Sequence, residues 1–488
     1  MLFNSLEFAI FFPVVTFLFF LLPHRFRWVL LLLASCFFYM FFKPVYIFIL
    51  FFTIIIDYFA GIWIAGEHDR RKRKLFLTLS IFANVGVLVV FKYFNFLADN
   101  INLLFHSVHV NQHIPLLSIL LPIGLSFHTF QAMSYTIEVY RGNQEPERHF
   151  GIYALYVMFY PQLVAGPIER PQNIIHQFHE EKHLDYENMK QGLILIAWGL
   201  FKKVVIADRL ALFVNQVYGN PFEYKGLPLI IGTVFFAFQI FCDFSGYSDI
   251  AIGSARCMGF TLMKNFDRPY MATSVAEFWK RWHISLSTWF RDYVYIPLGG
   301  NRVSTGRWYF NILVVFVLSG IWHGANWTFL IWGLLHGLYI IMESVFYSRN
   351  PRLRDARGWV SVLVRRMVVF SLVTLAWVFF RAQHLSHAVY VLRNFFSGLP
   401  QQLRQVVRNE HFLRLQLLYV GQGAYDFILA ILFVVIMMVI HFRQKAGGFN
   451  EWLALKTGFV RWSFYLGLVM IFVCFGIFSK SQFIYFQF

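Results

Sequence analysis

A histidine inside an apolar run is the side chain of this sequence best placed to do chemistry. His323 lies in the segment SGIWHGANWTFLIWGLLHG (319–337), where most neighbours are aliphatic or aromatic. An ionisable group at membrane depth is costly, so it is a functional candidate by default. An imidazole can accept a proton from a thiol or hydroxyl near neutral pH and return it to a leaving group. A histidine that only joins helices through hydrogen bonds would explain the same residue.

The residues near His323 favour a site that a ligand can approach. Gly320 and Gly324 lie on either side of it, so the backbone can bend or come close to a bound group. Asn326 can supply a hydrogen bond nearby. His336 lies well off the His323 face of a regular helix, and we predict a structural role for it.

A second candidate segment, residues 264–307, mixes charged and aromatic side chains more densely than the rest of the chain. Near-helical spacing of its tryptophans predicts an interfacial helix, with rings in the lipid head-group layer and cations outward. The alternative is a cytoplasmic platform for coenzyme A, whose phosphates would contact arginines. His283, in the same segment, is then either a tolerated interfacial residue or a second functional histidine. The residues concerned are Trp279, Lys280, Arg281, Trp282, Trp289 and Arg291.

Two aspartates interrupt the apolar run FCDFSGYSDIAIG (241–253). Asp243 and Asp249 are six positions apart, so a regular helix does not place them on one face, which argues against a glycosidase carboxylate pair. Asp243 and Tyr247 are four positions apart and could pair. These side chains either pack helices together or line a polar tunnel.

Composition restricts the chain to a membrane environment. Of 488 residues, 58% are hydrophobic and 14% charged, whereas soluble domains carry about 25% charge. The net charge of +17 arises from basic residues in short loops, which predicts contacts with anionic lipid and no nucleic-acid partner. The four cysteines lie in or beside apolar stretches without a CxxC pair, so we expect no metal site and no disulfide framework.

Hydropathy predicts an all-α polytopic membrane protein with about eleven crossings and one or two short or re-entrant segments. Basic residues 70–74 indicate a cytoplasmic loop, which places the N-terminus outside. Residues 384–420 are predicted to form an outward-facing interfacial amphipathic helix. Candidate spans are 6–22, 27–42, 44–65, 75–97, 115–137, 151–166, 189–216, 227–258, 309–322, 326–346, 359–380, 424–442 and 459–478.

Five motifs give the sequence its resemblance to a known family. They are LPIGLSFHTFQAMSYTIEVYRG (121–142), FYPQLVAGPIERP (159–171), FCDFSGYSDIAIG (241–253), FWKRWHISLSTWFRDYVYIPLGGNR (278–302) and SGIWHGANWTFLIWGLLHG (319–337). With these motifs in this order, the chain resembles the membrane-bound O-acyltransferases (MBOAT). Within them it is most similar to the AlgI-like bacterial branch, which is related to PatA and DltB.

The resemblance implies a ring of helices around a funnel or tunnel with shorter central helices. It implies one integral-membrane domain, 1–488, with a motif-bearing core at 120–345 and peripheral C-terminal helices at 350–488. His323 would be the essential histidine and His283 a second family feature. Acetyl-CoA would enter from the cytoplasm as donor, with no permanently bound cofactor. The implied location is the bacterial inner membrane.

In this branch the acyl group leaves on the outer face, usually with an extracytoplasmic SGNH-type partner. The expected function is therefore O-acetylation of an extracytoplasmic polysaccharide, with an alginate-like exopolysaccharide favoured. His323 would act as general base or relay the acyl group, and His283 would polarise or position the thioester.

Two other functions remain open from the residues. One is a DltB-type D-alanyl exporter that uses a carrier protein's thioester. The other is a transporter or channel without acyl chemistry, which broken helices and midplane polar residues also fit. The chain contains no P-loop, GxGxxG or HExxH motif, so an activated substrate or a gradient would supply the energy.

Overall fold

The computed structural model describes residues 1–118, 121–164, 166–356, 358–408, 416–444, 453–478 and 483–486. These residues form helices and loops without a β-strand, which confirms the all-α prediction. In chain order the α-helices are α1 Leu6–Leu21, α2 His24–Met40, α3 Ile47–Gly66, α4 Arg70–Leu88, α5 Phe94–Ser107, α6 Leu125–Arg141, α7 Phe150–Met158, α8 Tyr160–Leu163, α9 Pro171–His179, α10 Tyr186–Leu200, α11 Asp208–Gly219, α12 Leu227–Cys257, α13 Val275–Arg281, α14 Ile284–Phe290, α15 Thr305–His323, α16 Trp327–Arg349, α17 Pro351–Asp355, α18 Trp359–Arg381, α19 Leu385–Asn394, α20 Leu399–Val407, α21 Ala424–Arg443 and α22 Gly458–Phe475.

Within the described residues, seven helical runs are long and apolar enough to cross a membrane, and α1 is a shorter apolar helix. The chain is therefore a multi-pass membrane protein, while the number of about eleven crossings stays a prediction. The seven runs are Pro44–Gly66, Arg70–Ser107, Leu227–Cys257, Trp327–Arg349, Trp359–Arg381, Ala424–Arg443 and Gly458–Phe475.

The chain divides into two compact units, and the predicted single domain stays a prediction. The first unit comprises 1–196 and 248–264, and the second comprises 197–247 and 265–488. In the first unit a buried carboxylate joins helices, since Asp57 of α3 accepts hydrogen bonds from Ser80 (2.5 Å) and Asn84 (2.8 Å) of α4. In an apolar interior such donors meet the need of the carboxylate for hydrogen bonds.

Several predicted helical segments are divided into shorter helices in the structure. The span 151–166 is two short helices, α7 and α8, with residue 165 outside the described part. The span 189–216 contains a π-helical turn, Phe201–Ala207, between α10 and α11. The single interfacial helix expected at 384–420 is wrong, because α19 and α20 are separated by a turn at Gly398, whose φ is +71°. Residues 409–415 of that range lie outside the described part.

A hairpin of α15 and α16 carries His323 at its tip, and its two helices correspond to the predicted spans 309–322 and 326–346. Glycines let the two helices approach, because a Cβ at Gly320 would overlap the Phe329 carbonyl oxygen and one at Gly333 the Phe316 carbonyl oxygen. Small residues at such contacts are typical of packed membrane helices. The hairpin therefore depends on backbone contact at two glycines near the candidate histidine.

Replacing Gly333 by alanine should lower the free energy of unfolding by about 1–3 kcal/mol, because the added methyl must displace backbone. Gly467→Ala is the matched control, since no atom lies within 4 Å of a Cβ at that position. Thermal unfolding of both purified variants in detergent measures the difference. Equal stability of the two variants would contradict the close approach of α15 and α16.

Candidate active site

His323 is the last residue of α15 and is only 4% exposed. Its imidazole is surrounded by aromatic rings, with centroids of Trp332 at 4.9 Å, Phe380 at 5.3 Å and Tyr485 at 5.6 Å. Ring faces and edges pack the imidazole from several sides and hold its orientation. The structure thus places His323 in the interior of the second compact unit.

Asn326 orders the turn that follows His323. Its side-chain oxygen accepts a hydrogen bond from the Thr328 amide (3.0 Å), which makes it the N-cap of α16. Its side-chain nitrogen donates to the Gln383 carbonyl (2.9 Å). A cap of this type stabilises a helix by about 1 kcal/mol. Asn326 therefore fixes the hairpin tip, and a role towards substrate stays a prediction.

His283 is fully buried between α13 and α14. Its φ of +43° lies in the left-handed region, which is strained for a residue with a side chain and is often found at functional sites. Asn265 holds this turn, since its backbone carbonyl accepts from the Ile284 amide (2.9 Å) and its side chain accepts from the Ser285 hydroxyl (2.9 Å). His283 lies outside the seven spanning runs. Burial lowers the pKa of its imidazole, which is therefore neutral at pH 7.

The interfacial helix predicted for 264–307 is wrong. Two short helices, α13 and α14, meet at Trp282 and His283, and the tryptophan rings are buried in protein. Trp282 packs against Trp377, with ring centroids 5.0 Å apart. Aromatic spacing alone cannot distinguish a face that meets lipid from one that meets protein, because both environments are apolar.

The two arginines of this segment have different surroundings. Arg281 forms an ion pair with Glu277 (2.6 Å). Burial favours the neutral form of Glu277, but Thr273 and Arg281 outweigh it and hold the pKa of that carboxyl below its usual value. Arg291 pairs with Asp292 (2.7 Å), and 59% of its side chain is exposed. Of the two, Arg291 is the more accessible to a soluble ligand.

Aromatic rings connect the two candidate histidines. We call the group of His283, His323, Phe244, Trp322 and Tyr485 the histidine cluster. Trp322 lies 4.9 Å from His323 and 6.1 Å from His283. Phe244 lies 4.6 Å from His283 and 4.4 Å from Tyr485, by ring centroids. The structure therefore brings together two histidines that are 40 positions apart in sequence.

Part of this environment comes from a region expected to be peripheral. Trp377, Phe380 and Tyr485 all follow residue 350, yet Phe380 and Tyr485 contact the His323 ring. Because Phe380 lies in an ordinary apolar span and Tyr485 is 162 positions from His323, no sequence spacing identified them. The description of 350–488 as peripheral is thus incorrect for these side chains.

A buried ion-pair network joins α12, the π-helical turn Phe201–Ala207 and the first residue of α11. Asp243 contacts Lys203 (2.7 Å), and Lys203 also contacts Asp208 (2.8 Å). All three side chains are at most 4% exposed. The ion partner of Asp243 is thus Lys203, while Tyr247, the partner considered from sequence, packs on Phe483 with centroids 4.5 Å apart. Lys203 was not singled out from the sequence, although an ionisable residue in an apolar run is a functional candidate by default.

Two further residues considered from sequence are Asp249 and His336. Asp249 is half-buried on α12 and belongs to the first compact unit. His336 accepts a hydrogen bond from the Trp279 indole (3.3 Å), which supports its structural interpretation. Across the described ranges no group of three or more His, Cys, Asp or Glu side chains could hold a metal ion.

A neutral buried imidazole has one nitrogen that donates a hydrogen bond and one that accepts. It can therefore take up and return a proton, and it carries no charge between these events. The fold is that of a multi-pass membrane protein, and the histidine cluster is its candidate centre for acid–base chemistry. Comparison with known proteins gives the family to which it belongs.

A family model described as "MBOAT, membrane-bound O-acyltransferase family" matches residues 148–380. The chain is 38% identical over 411 residues to the probable alginate O-acetylase AlgI of Pseudomonas aeruginosa, covering 84% of this chain and 77% of that protein. It is 33% identical to the peptidoglycan O-acetyltransferase of Helicobacter pylori, with 94% and 91% covered. It is 24% identical to the teichoic acid D-alanyltransferase of Bacillus subtilis, with 57% and 73% covered. The chain therefore belongs to the membrane-bound O-acyltransferase family and is an O-acyltransferase.

Proposed function

We propose that this enzyme takes acetyl from acetyl-CoA on the cytoplasmic side and O-acetylates an extracytoplasmic polysaccharide. The observation that carries the proposal is the buried His323 imidazole, joined to His283 through shared aromatic rings. An alginate-like exopolysaccharide is the favoured acceptor, because the relative AlgI is named an alginate O-acetylase. Peptidoglycan is the second candidate, since the Helicobacter relative matches over 94% of this chain.

In the proposed reaction, His323 takes the proton from an acceptor hydroxyl as general base. The hydroxyl oxygen attacks the thioester carbonyl, forming a carbon–oxygen bond as the carbon–sulfur bond breaks. The proton passes from His323 to the leaving coenzyme A thiolate. His283, as a neutral donor, positions the thioester carbonyl and stabilises the charge that develops on its oxygen.

Basic side chains support the proposed acyl donor and the proposed orientation in the membrane. Arg291 is the candidate contact for coenzyme A phosphates, because most of its side chain is exposed. Basic residues 70–74 support a cytoplasmic face on that side, with the N-terminus in the periplasm of an inner membrane. An extracytoplasmic SGNH-type protein is the proposed partner that completes transfer, and lipids surround the helices.

The test is a deletion strain complemented with the full chain, in which ester-linked acetyl is measured separately on exopolysaccharide and on peptidoglycan. We expect loss of acetyl from the exopolysaccharide alone, with recovery on complementation. The purified chain in vesicles, supplied with the acceptor polymer, should also release free thiol from acetyl-CoA and not from a D-alanyl carrier protein. Unchanged acetylation of both polymers, or thioester turnover only with the D-alanyl carrier, would refute the proposal.

A further inference from the structure

The last described residues of the chain, 483–486, contribute Tyr485 to the histidine cluster. Tyr485 contacts Phe244 (4.4 Å) and His323 (5.6 Å) by ring centroids. Phe483 packs on Tyr247 (4.5 Å), one turn further along α12 than Asp243. The environment of His323 therefore depends on where this short segment is held.

Among the described residues near the C-terminus, two backbone amides donate hydrogen bonds to the rest of the unit. The Ile477 amide donates to the Val204 carbonyl (2.9 Å) within the π-helical turn Phe201–Ala207. The Ile484 amide donates to Oδ2 of Asp243 (2.7 Å). The second bond lies directly beside Tyr485, and its acceptor is charged, which makes such a bond about twice as strong as a neutral one.

The same carboxylate is held on its other oxygen. Oδ1 of Asp243 contacts the Lys203 ammonium at 2.7 Å, and both side chains are at most 4% exposed. Burying an ion pair in an apolar interior costs desolvation energy, and it is often no better for stability than well-packed apolar side chains. Intramembrane charges are accordingly kept mostly where they serve function.

We propose that Asp243 and Lys203 form an anchoring pair that positions residues 483–485, and with them the Tyr485 ring, against His323. Lys203 orients the carboxylate, and the carboxylate then binds the Ile484 amide and so places Tyr485 beside the imidazole. Asp243 is a positioning residue, because it acts through residues 483–485. The inference rests on the proposed function, since its consequence for the reaction runs through His323.

An asparagine at position 243 cannot replace the carboxylate. Lys203 and the Ile484 amide contact different oxygens of Asp243, and an asparagine has a carbonyl oxygen at only one of these positions and an NH₂ group, which donates, at the other. Ile484→Pro removes the amide that donates to Asp243 and leaves the Lys203–Asp243 pair intact. Proline is tolerated here because Ile484 begins the short helical turn Ile484–Phe486, where no amide donor is needed for the turn itself.

The experiment compares wild-type full-length protein with Asp243→Asn, Ile484→Pro and a control, Asp426→Asn. The control removes a carboxylate from another ion pair of the same unit, that with Arg209. Hydrogen–deuterium exchange is measured in peptides that contain residues 483–486, without substrate. Acetyl transfer is measured separately as kcat and KM for acetyl-CoA.

Asp243→Asn and Ile484→Pro should each raise exchange in those peptides and lower kcat by roughly 10- to 100-fold, as expected for loss of a hydrogen bond to a charged group. KM should stay close to the wild-type value, and the control should change neither kcat nor the exchange. Unchanged exchange, unchanged kcat in Ile484→Pro, or equal effects in the control would overturn the anchoring role. A wild-type chain without acetyl transfer would instead overturn the proposed function.

Discussion

Replacing His323 by alanine is expected to lower acetyl transfer by about 10²–10⁴-fold, the usual contribution of a general acid–base residue. The imidazole is the group at the hairpin tip that can take and return a proton, and its aromatic neighbours cannot replace it. Insertion and folding should persist, because the glycine contacts between α15 and α16 do not involve the ring. Acetyl on the envelope polymer and free thiol released from acetyl-CoA are the two measurements.

His384→Ala is the control for this variant, because His384 is an exposed histidine of the same compact unit. Its activity should equal that of the wild type. Added imidazole should partly restore transfer in His323→Ala if the loss is one of proton transfer rather than of packing. Full activity in His323→Ala, with the protein correctly inserted, would refute the assignment of His323.

Replacing Lys203 by methionine is expected to reduce the free energy of unfolding by about 3–5 kcal/mol, the usual cost of removing one partner of a buried ion pair. Asp208 and Asp243 would then lose the cation that both contact, at 2.8 Å and 2.7 Å. Two carboxylates near one another in an apolar interior repel and lack solvation. Unfolding in a denaturing-detergent titration gives the measured difference.

Lys202→Met provides a matched control at the adjacent position. Lys202 is also buried and donates to the neutral Ser245 hydroxyl (2.9 Å), and in this variant Lys203 still contacts Asp208 and Asp243. Its effect should be the smaller of the two, and Lys203→Arg should retain most of the wild-type stability. If the Lys202 and Lys203 variants unfold at the same detergent concentration, the ion-pair network is not a stabilising feature.

Much of the architecture follows from local sequence. Apolar runs predict helices because backbone groups in lipid must bond within their own segment. The positions of α12, α16, α18 and α21 agree closely with the predicted spans. The break at His283 was not predicted, because the tryptophan spacing continues through it and the strained turn is stabilised by Asn265, 18 positions earlier in the chain.

By itself the sequence determined that the chain is a helical membrane protein and which two histidines are the strongest candidates. Hydropathy and motif identity are local properties, and both can be read along the chain. Only the tertiary structure decided that Tyr485 contacts His323 and that Asp243 pairs with Lys203. Lipid and protein interior are equally apolar, so a hydrophobic pattern shows that a side chain avoids water but not which partner it meets.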